Sequence, residues 1–305
     1  MSKDIIDLNK IKDFCKIDKY IEDNIQNDST IHIKNLEIPV NTIIKGGQIS
    51  NLNDFRSPLF ITFINEGFKT LTANFICNLQ AVMPDVLEHH LIIIVDSIFT
   101  AKWLMGYNNQ LSLYVYFSDE NVTQTSASYG TDEYKSIMMH RGYGLLHFLG
   151  RGKRVVWLEP DAIYYDNLLK VQEIVAPKSD YVFFDDYNMP CGCFIVFPGD
   201  SDGKVFYEKV LSYALQNYDR NDQISLNTLK HEVTWSLLDK CKFRSGIYIV
   251  DTLPSGNKRL TDCDNATIIV QHLNFIIGLD AKIGLAKRLG AWYIDESLRC
   301  MLNKI

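Results

Sequence analysis

The chain has 305 residues, 47% of them hydrophobic and 22% charged, and a formal net charge of −6. Such a composition is ordinary for a globular protein with a sizeable core, and the acidic balance argues against nucleic acid as a bulk electrostatic partner. No apolar run approaches membrane-spanning length, and the polar start Met1-Ser-Lys-Asp-Ile-Ile-Asp7 lacks the apolar stretch of a secretory leader. Seven cysteines, an odd number without small-scaffold spacing, predict reduced thiols and a cytoplasmic setting. The glycosylation-type triplets beginning at Asn27, Asn121 and Asn265 are then silent.

Residues 1–58 are polar and rich in Asn, Asp, Ile and Lys, with weak helical periodicity between Ile5 and Ile21. They read as an extension packed on a core of residues 59–305, or as a contact between copies in a homo-oligomer. The core opens with Leu59-Phe-Ile-Thr-Phe-Ile-Asn65, a strand ending in polar residues. Phe68 to Gln80 then places Leu71, Phe75, Ile76 and Leu79 on one helical face. Leu91–Val95 is a second buried strand with Asp96 at its end, and Leu111–Phe117 a third. Strand, helix, strand in that rhythm predicts an α/β doubly wound sheet.

Thr131 is the expected N-cap of a helix that carries Arg141, runs to about Leu149 and stops at Gly150 and Gly152. The next strand, Arg154 to Leu158, ends abruptly in Glu159-Pro160-Asp161. Ligands of open α/β sheets sit beyond the carboxyl ends of strands, where these acids fall. On extended chain, acids at i and i+2 point to one side and can serve one hard cation. Strands are further expected at Ser179–Asp185, Gly192–Pro198, Phe243–Val250 and Thr267–Val270. Helices are expected from Gly203 to Tyr218, from Asn221-Asp222-Gln223 to about Lys230, and from Gly278 to Gly290.

Several tempting motifs fail. Gly150-Arg-Gly152 precedes a strand and lacks a third glycine, and Gly199–Lys204 is one residue short of a phosphate loop. His231-Glu232 has Trp235 where a zinc protease needs its second histidine. Cys191-Gly-Cys193 has no second pair at zinc spacing, and reads as small residues at a tight backbone approach. A combination does hold. Glu159, Asp161 and the distant His272 make a plausible octahedral site for Mn²⁺. Gly278 lets backbone come close, amides opening the helix after it can hold phosphate oxygens, and Lys282 lies one turn in.

In order and spacing, these residues resemble the nucleotide-diphospho-sugar transferases of the GT-A fold. The landmarks are Thr62-Phe-Ile-Asn65, Asn74-Phe-Ile-Cys77, Asp96, Leu149-Gly-Arg-Gly152 and Val156-Trp-Leu-Glu-Pro-Asp161. Cys191-Gly-Cys-Phe194, Asn221-Asp-Gln223 and His272-x-Asn274-x-x-x-Gly278-x-x-x-Lys282 complete them, so that the likeness spans roughly Leu59 to Asp295. It points to the group that includes plant cell-wall xylosyl- and arabinosyltransferases, more distantly related to glycogenin-like retaining galactosyltransferases. One departure is Glu159, a methylene longer than the aspartate the family places there.

The resemblance implies a Rossmann-like, mostly parallel sheet flanked by helices. It also implies a UDP-sugar donor, Mn²⁺ or Mg²⁺, transfer with retention, and a hydroxyl acceptor on a glycan, protein or small molecule. Thr62, Asn65 and Asp96 would hold base and ribose, with Glu159, Asn274, Gly278 and Lys282 completing the nucleotide site. Glu159, Asp161 and His272 would hold the metal. Asp222 and Gln223 would face the sugar, and Arg141 its hydroxyls or the phosphates. The alternative is a non-catalytic sugar-nucleotide-binding or scaffolding protein with the same fold, for which Glu159 is the main support.

Overall fold

The computed structural model describes residues 42–46, 48–116, 127, 131–186, 188–217, 222–246, 263 and 267–301. The expected periodicity of Ile5–Ile21, the three glycosylation-type triplets, Asn221 and the end of the strand expected at Phe243–Val250 lie outside the described residues. In chain order the elements begin with β1 (Thr42–Lys45), β2 (Gln48–Ser50), β3 (Leu59–Ile64), α1 (Lys69–Val82) and α2 (Pro84–His89). Then come β4 (Leu91–Val95), α3 (Ile98–Tyr107), β5 (Ser112–Val115), α4 (Asp132–Leu146), β6 (Val155–Trp157) and β7 (Ala162–Tyr164). The chain continues with α5 (Gln172–Val175), β8 (Tyr181–Asp185), β9 (Pro190–Phe197), α6 (Ser201–Gln216) and α7 (Asp222–Leu229). β10 (Trp235–Leu237), β11 (Phe243–Arg244), β12 (Val270–His272) and α8 (Leu279–Arg288) close it.

Among the described residues, nine strands form one sheet in the order β10-β8-β9-β6-β3-β4-β5-β1-β2. Its centre, β6-β3-β4-β5, is parallel, as the strand–helix rhythm predicts. β9 runs antiparallel to both β6 and β8, and the β1–β2 hairpin pairs antiparallel on β5. Alternate residues of the central strands enter two separate cores. Phe60, Ile64, Ile93, Val95 and Val156 pack with Phe75, Ile76, Leu79 and Leu104 from α1 and α3 on one face. Leu59, Ile61, Ile92, Ile94 and Trp157 pack with Leu145, Phe206, Val210 and Leu226 from α4, α6 and α7 on the other. Period-2 side-chain alternation in strands buried on both faces makes the sequence read as continuous apolar runs.

A second, smaller sheet runs β11-β12-β7. None of its strands, two or three residues long, can signal itself by periodicity, and β7 is absent from the sequence-based reading. Two asparagines one turn apart on α1 hold this region. Asn78 donates through Nδ2 to the Tyr164 carbonyl and accepts through Oδ1 from the Tyr164 amide, both at 2.8 Å. Asn74 does the same for the C-terminal segment, reaching the Ala291 carbonyl at 3.1 Å and the Tyr293 amide at 2.7 Å. A carboxamide presents one donor and one acceptor side by side, so it substitutes for a missing neighbouring strand.

The expectation of reduced thiols is overturned: Cys77–Cys300, Cys191–Cys193 and Cys241–Cys263 are paired as disulfides, which leaves only Cys15, outside the described residues. Cys77 and Cys300 stand 223 residues apart, so their meeting is a consequence of the fold that no local spacing announces. The odd cysteine count thereby loses its value as an argument for a cytoplasmic setting. No helix among the described residues is long and apolar enough to cross a membrane.

Removing the Asn78 carboxamide strands a buried amide and a buried carbonyl at once. Asn78→Ala should therefore lower the unfolding free energy by about 2–4 kcal/mol, read from the urea midpoint at unchanged slope. A shift of only a few tenths would show that the clamp on β7 contributes little.

Candidate active site

The Glu159-Pro160-Asp161 segment follows β6 but is not extended. It forms a turn into β7, closed by the Ala162 amide donating to the Glu159 carbonyl at 3.2 Å. The two carboxylates consequently find different partners, not the shared side that an extended chain would give them. Their separation divides the site into two charged groups.

Asp161 belongs to the first. β12 lies antiparallel to β7 with His272 opposite Ala162, and the Leu273 amide donates to the Asp161 carbonyl at 3.2 Å. That register brings His272 Nε2 to 3.1 Å from Asp161 Oδ1. The other oxygen, Oδ2, takes a charged hydrogen bond from Lys282 on α8. Both Asp161 and His272 are buried. Burial opposes ionisation of Asp161, but Lys282 and His272 outweigh it and hold the carboxyl well below the usual range. α8 starts at Gly278, whose φ of 94° is open to glycine and strained for other residues.

Glu159 belongs to the second. Arg141, from the middle of α4, forms ion pairs with Glu159 and with Asp222 at the start of α7. Its guanidinium also lies 5.1 Å from the centre of the Trp157 ring, and Trp157 Nε1 donates to Glu159 at 3.0 Å. Burial works against the Arg141 charge, yet Asp222 and Glu159 keep it firmly protonated. Arg141 therefore spends its charge inside the protein. Glu159 does not complete a three-ligand group with Asp161 and His272. Among the described residues the cluster of possible metal ligands is instead Cys191, Cys193 and His272.

A third group joins the remaining candidates through a residue that the sequence reading missed. Asp186, just past β8, accepts from Gln223 Nε2 at 3.0 Å and from Asn274 Nδ2 at 3.3 Å, with Ser245 Oγ also at 3.3 Å. Burial pushes its carboxyl up, against the hydrogen bonds of Gln223 and Ser245. The available signal was an acid directly after a buried strand, as at Asp96. Gly246 passes so close to the Asn274 backbone that a Cβ there would collide with its carbonyl oxygen.

Thr62, Asn65 and Asp96 lie at the carboxyl ends of β3 and β4, the position shared by ligand sites in open parallel sheets. All three are buried, and among the described residues Thr62 Oγ1 and both amide atoms of Asn65 lack hydrogen-bond partners. Burial pushes the Asp96 carboxyl up to about 7, helped by the nearby charge of Glu66 and opposed by hydrogen bonds from its own backbone and Thr100. Buried polar atoms without partners are costly, and a ligand able to donate and accept hydrogen bonds would satisfy them. A separate cavity of about 970 Å³, lined by Trp103, Tyr107, Arg299 and Cys300 among others, includes none of these residues.

Residues 85–285, well over half of the chain, match the family model of nucleotide-diphospho-sugar transferases. No curated protein matches the chain in sequence. Among solved structures, the fold is similar to the galactosyltransferase LgtC in complex with donor and acceptor sugar analogs. That likeness has 12% identity and a TM-score of 0.53, and covers 78% of this chain and 98% of LgtC. The apo form of the glycosyltransferase GlyE from Streptococcus pneumoniae TIGR4 is similar at 12% identity and a TM-score of 0.50, over 82% of this chain. The chain spans only 63% of that GlyE chain. At these identities the likeness is one of fold, and that fold is the GT-A arrangement of a mixed sheet between helical layers. Matched to its model from before β4 into α8, the chain belongs to the nucleotide-diphospho-sugar transferase family.

Proposed function

We propose that the protein is a metal-dependent glycosyltransferase that moves a sugar from a UDP-sugar to a hydroxyl acceptor with retention of configuration. The observation that carries this reading is the contact between Asp161 and His272, 111 residues apart, with Lys282 on the same carboxylate. Around it, three carboxylates (Glu159, Asp161 and Asp222) pair with Arg141 or Lys282, and a fourth, Asp186, accepts from the neutral Gln223, Asn274 and Ser245. A carboxylate beside an imidazole, in surroundings with surplus negative charge, suits Mn²⁺ or Mg²⁺. Asp161 and His272 would hold that ion, which supplies Lewis-acid neutralisation of the diphosphate leaving group.

The chain's own residues divide the remaining work. Thr62 and Asn65 offer their unpartnered atoms, and Asp96 its buried carboxyl, to base and ribose. Amides at the start of α8, freed by the turn at Gly278, and the Lys282 ammonium receive the phosphates as negative charge grows on them. Asp222 and Gln223 face the sugar, with Gln223 and Asn274 oriented by Asp186. Arg141 serves by fixing Glu159 and Asp222, and Glu159 by completing that ion pair. The acceptor would be a hydroxyl of a glycan, a protein or a small molecule. The finer grouping with plant cell-wall transferases is carried by the ordered motifs alone.

A second reading, a sugar-nucleotide-binding protein without turnover, is favoured by one observation: Glu159 is occupied by Arg141 and Trp157. UDP release from a panel of UDP-sugars, with and without Mn²⁺, separates the two. Metal-stimulated release supports the transferase, whereas saturable binding without release supports the second reading. In the active protein, Asp161→Ala and His272→Ala should each lower metal-stimulated release about a hundredfold, equivalent to roughly 3 kcal/mol. Rates within a few-fold of wild type in both would remove the site assignment.

Arg141→Met leaves two buried carboxylates facing each other and should cost about 3–5 kcal/mol of stability, measured by denaturant unfolding. A near-neutral result would mean that Glu159 and Asp222 are solvated without it. Asp96 gives a pH signature. Its carboxyl sits higher in the folded than in the unfolded chain, so its ionisation destabilises the fold increasingly as pH rises from about 4 to about 7. Asp96→Asn should then stabilise the nucleotide-free protein by on the order of 2–4 kcal/mol above pH 7. The gain should shrink by pH 5, and equal gains at pH 8 and pH 5 would contradict the assignment.

A further inference from the structure

The sulfurs of Cys191 and Cys193 and one ring nitrogen of His272 lie within 4.8 Å of one another, and all three residues are buried. In the structure the two cysteines are joined as a disulfide. Both lie on β9, on either side of Gly192, which packs against the Asp222 carboxylate. His272 reaches the group from β12. Its Nε2 is oriented by Asp161, and the edge of the Phe184 ring packs on it with centroids 5.9 Å apart. His272 is 6% exposed, and among the described residues its Nδ1 has no hydrogen-bond partner.

These facts have a chemical meaning together. A histidine that donates Nε2–H to a carboxylate carries its lone pair on Nδ1, and the carboxylate raises the basicity of that nitrogen. An imidazole so arranged, beside two thiolates, is a soft donor set of the kind that open Zn²⁺ sites use, with three protein ligands and one position for water. Hard ions such as Mn²⁺ and Mg²⁺ have little affinity for the sulfur pair.

We propose that Cys191, Cys193 and His272 form a thiol-gated Zn²⁺ site, available when the Cys191–Cys193 disulfide is reduced and closed when it is oxidised. The opening step is thiol–disulfide exchange. Two equivalents of a small thiol give up two electrons and two protons, the Cys191–Cys193 S–S bond breaks, and the reductant leaves as its own disulfide. Zn²⁺ then displaces the two cysteine protons to solvent as it binds. One consequence rests on the transferase reading: Zn²⁺ on His272 takes away a ligand of the catalytic ion, so reduction in the presence of zinc would inhibit transfer. The site itself does not depend on that reading, and it can be tested without any activity.

The test uses the wild-type chain, reduced with a phosphine in chelator-stripped buffer and alkylated with iodoacetamide, with and without Zn²⁺. Labelling of each cysteine is read by peptide mass spectrometry. Zn²⁺ should slow labelling of Cys191 and Cys193 by roughly tenfold or more and leave Cys241 and Cys300 unaffected. In parallel, reduced wild type should take up about one more equivalent of Zn²⁺ from a chromophoric indicator than reduced Cys191→Ser/Cys193→Ser. Prior oxidation with glutathione disulfide should abolish that difference. Equal labelling with and without Zn²⁺, or protection confined to other cysteines, overturns the proposal even if the double variant fails to fold. Zinc protection without metal-stimulated UDP release would uphold the site and count against the transferase reading alone.

Discussion

The pairing of β12 with β7 is the constraint on which the site depends. Each is three residues long, and the register between them decides that His272 faces the turn after β6. A one-residue slip in a strand turns every side chain to the opposite face, so the meeting of Asp161 and His272 has no tolerance for a shifted ladder. So short a ladder needs support from outside, and it receives it. The Asn78 clamp holds Tyr164 on one strand, while the Ile269 and Val270 amides both donate to the Lys242 carbonyl beside the other. The large sheet supplies the platform, and the small sheet supplies the convergence.

The charges around that convergence are arranged in pairs that limit one another. Arg141 neutralises Glu159 and Asp222 while stacked on Trp157, which takes those groups out of competition for a cation near Asp161. Buried ion pairs gain little net stability because desolvation offsets attraction, so such a cluster is more readily understood as a device for orientation. Lys282 is less deeply placed and, among the described residues, pairs with Asp161 alone, which leaves room for a second anion. Among the described residues, the polar atoms of Thr62 and Asn65 have no such internal answer. Satisfied ion pairs thus stand alongside buried polar atoms that lack partners among the described residues, the electrostatic form expected of a preorganised binding site.

The sulfur pair at Cys191 and Cys193 adds a chemistry that the charged groups do not share. His272 contacts a carboxylate through Nε2 and has one ring nitrogen within 4.8 Å of two sulfurs. Under the proposed zinc site, His272 would couple the redox state of a three-residue segment of β9 to Asp161.

The amino-acid sequence alone determined the doubly wound sheet, because strands buried on both faces must be continuously apolar and the intervening helices must carry an apolar stripe. It likewise located the acids at strand ends, the glycine before α8 and the His272–Lys282 spacing, all of which are local. Only the tertiary structure decided which acids share a partner, since the turn at Pro160 sends Glu159 to Arg141 and Asp161 to His272. It alone revealed Asp186 as the residue that joins Gln223 to Asn274, and the pairing of six cysteines that the chain keeps as many as 223 residues apart. The physical reason is the range of the forces involved. Periodicity and turn chemistry act over a few residues and are written along the chain, whereas ion pairs, disulfides and strand register are chosen by packing between segments that meet only after the sheet has formed.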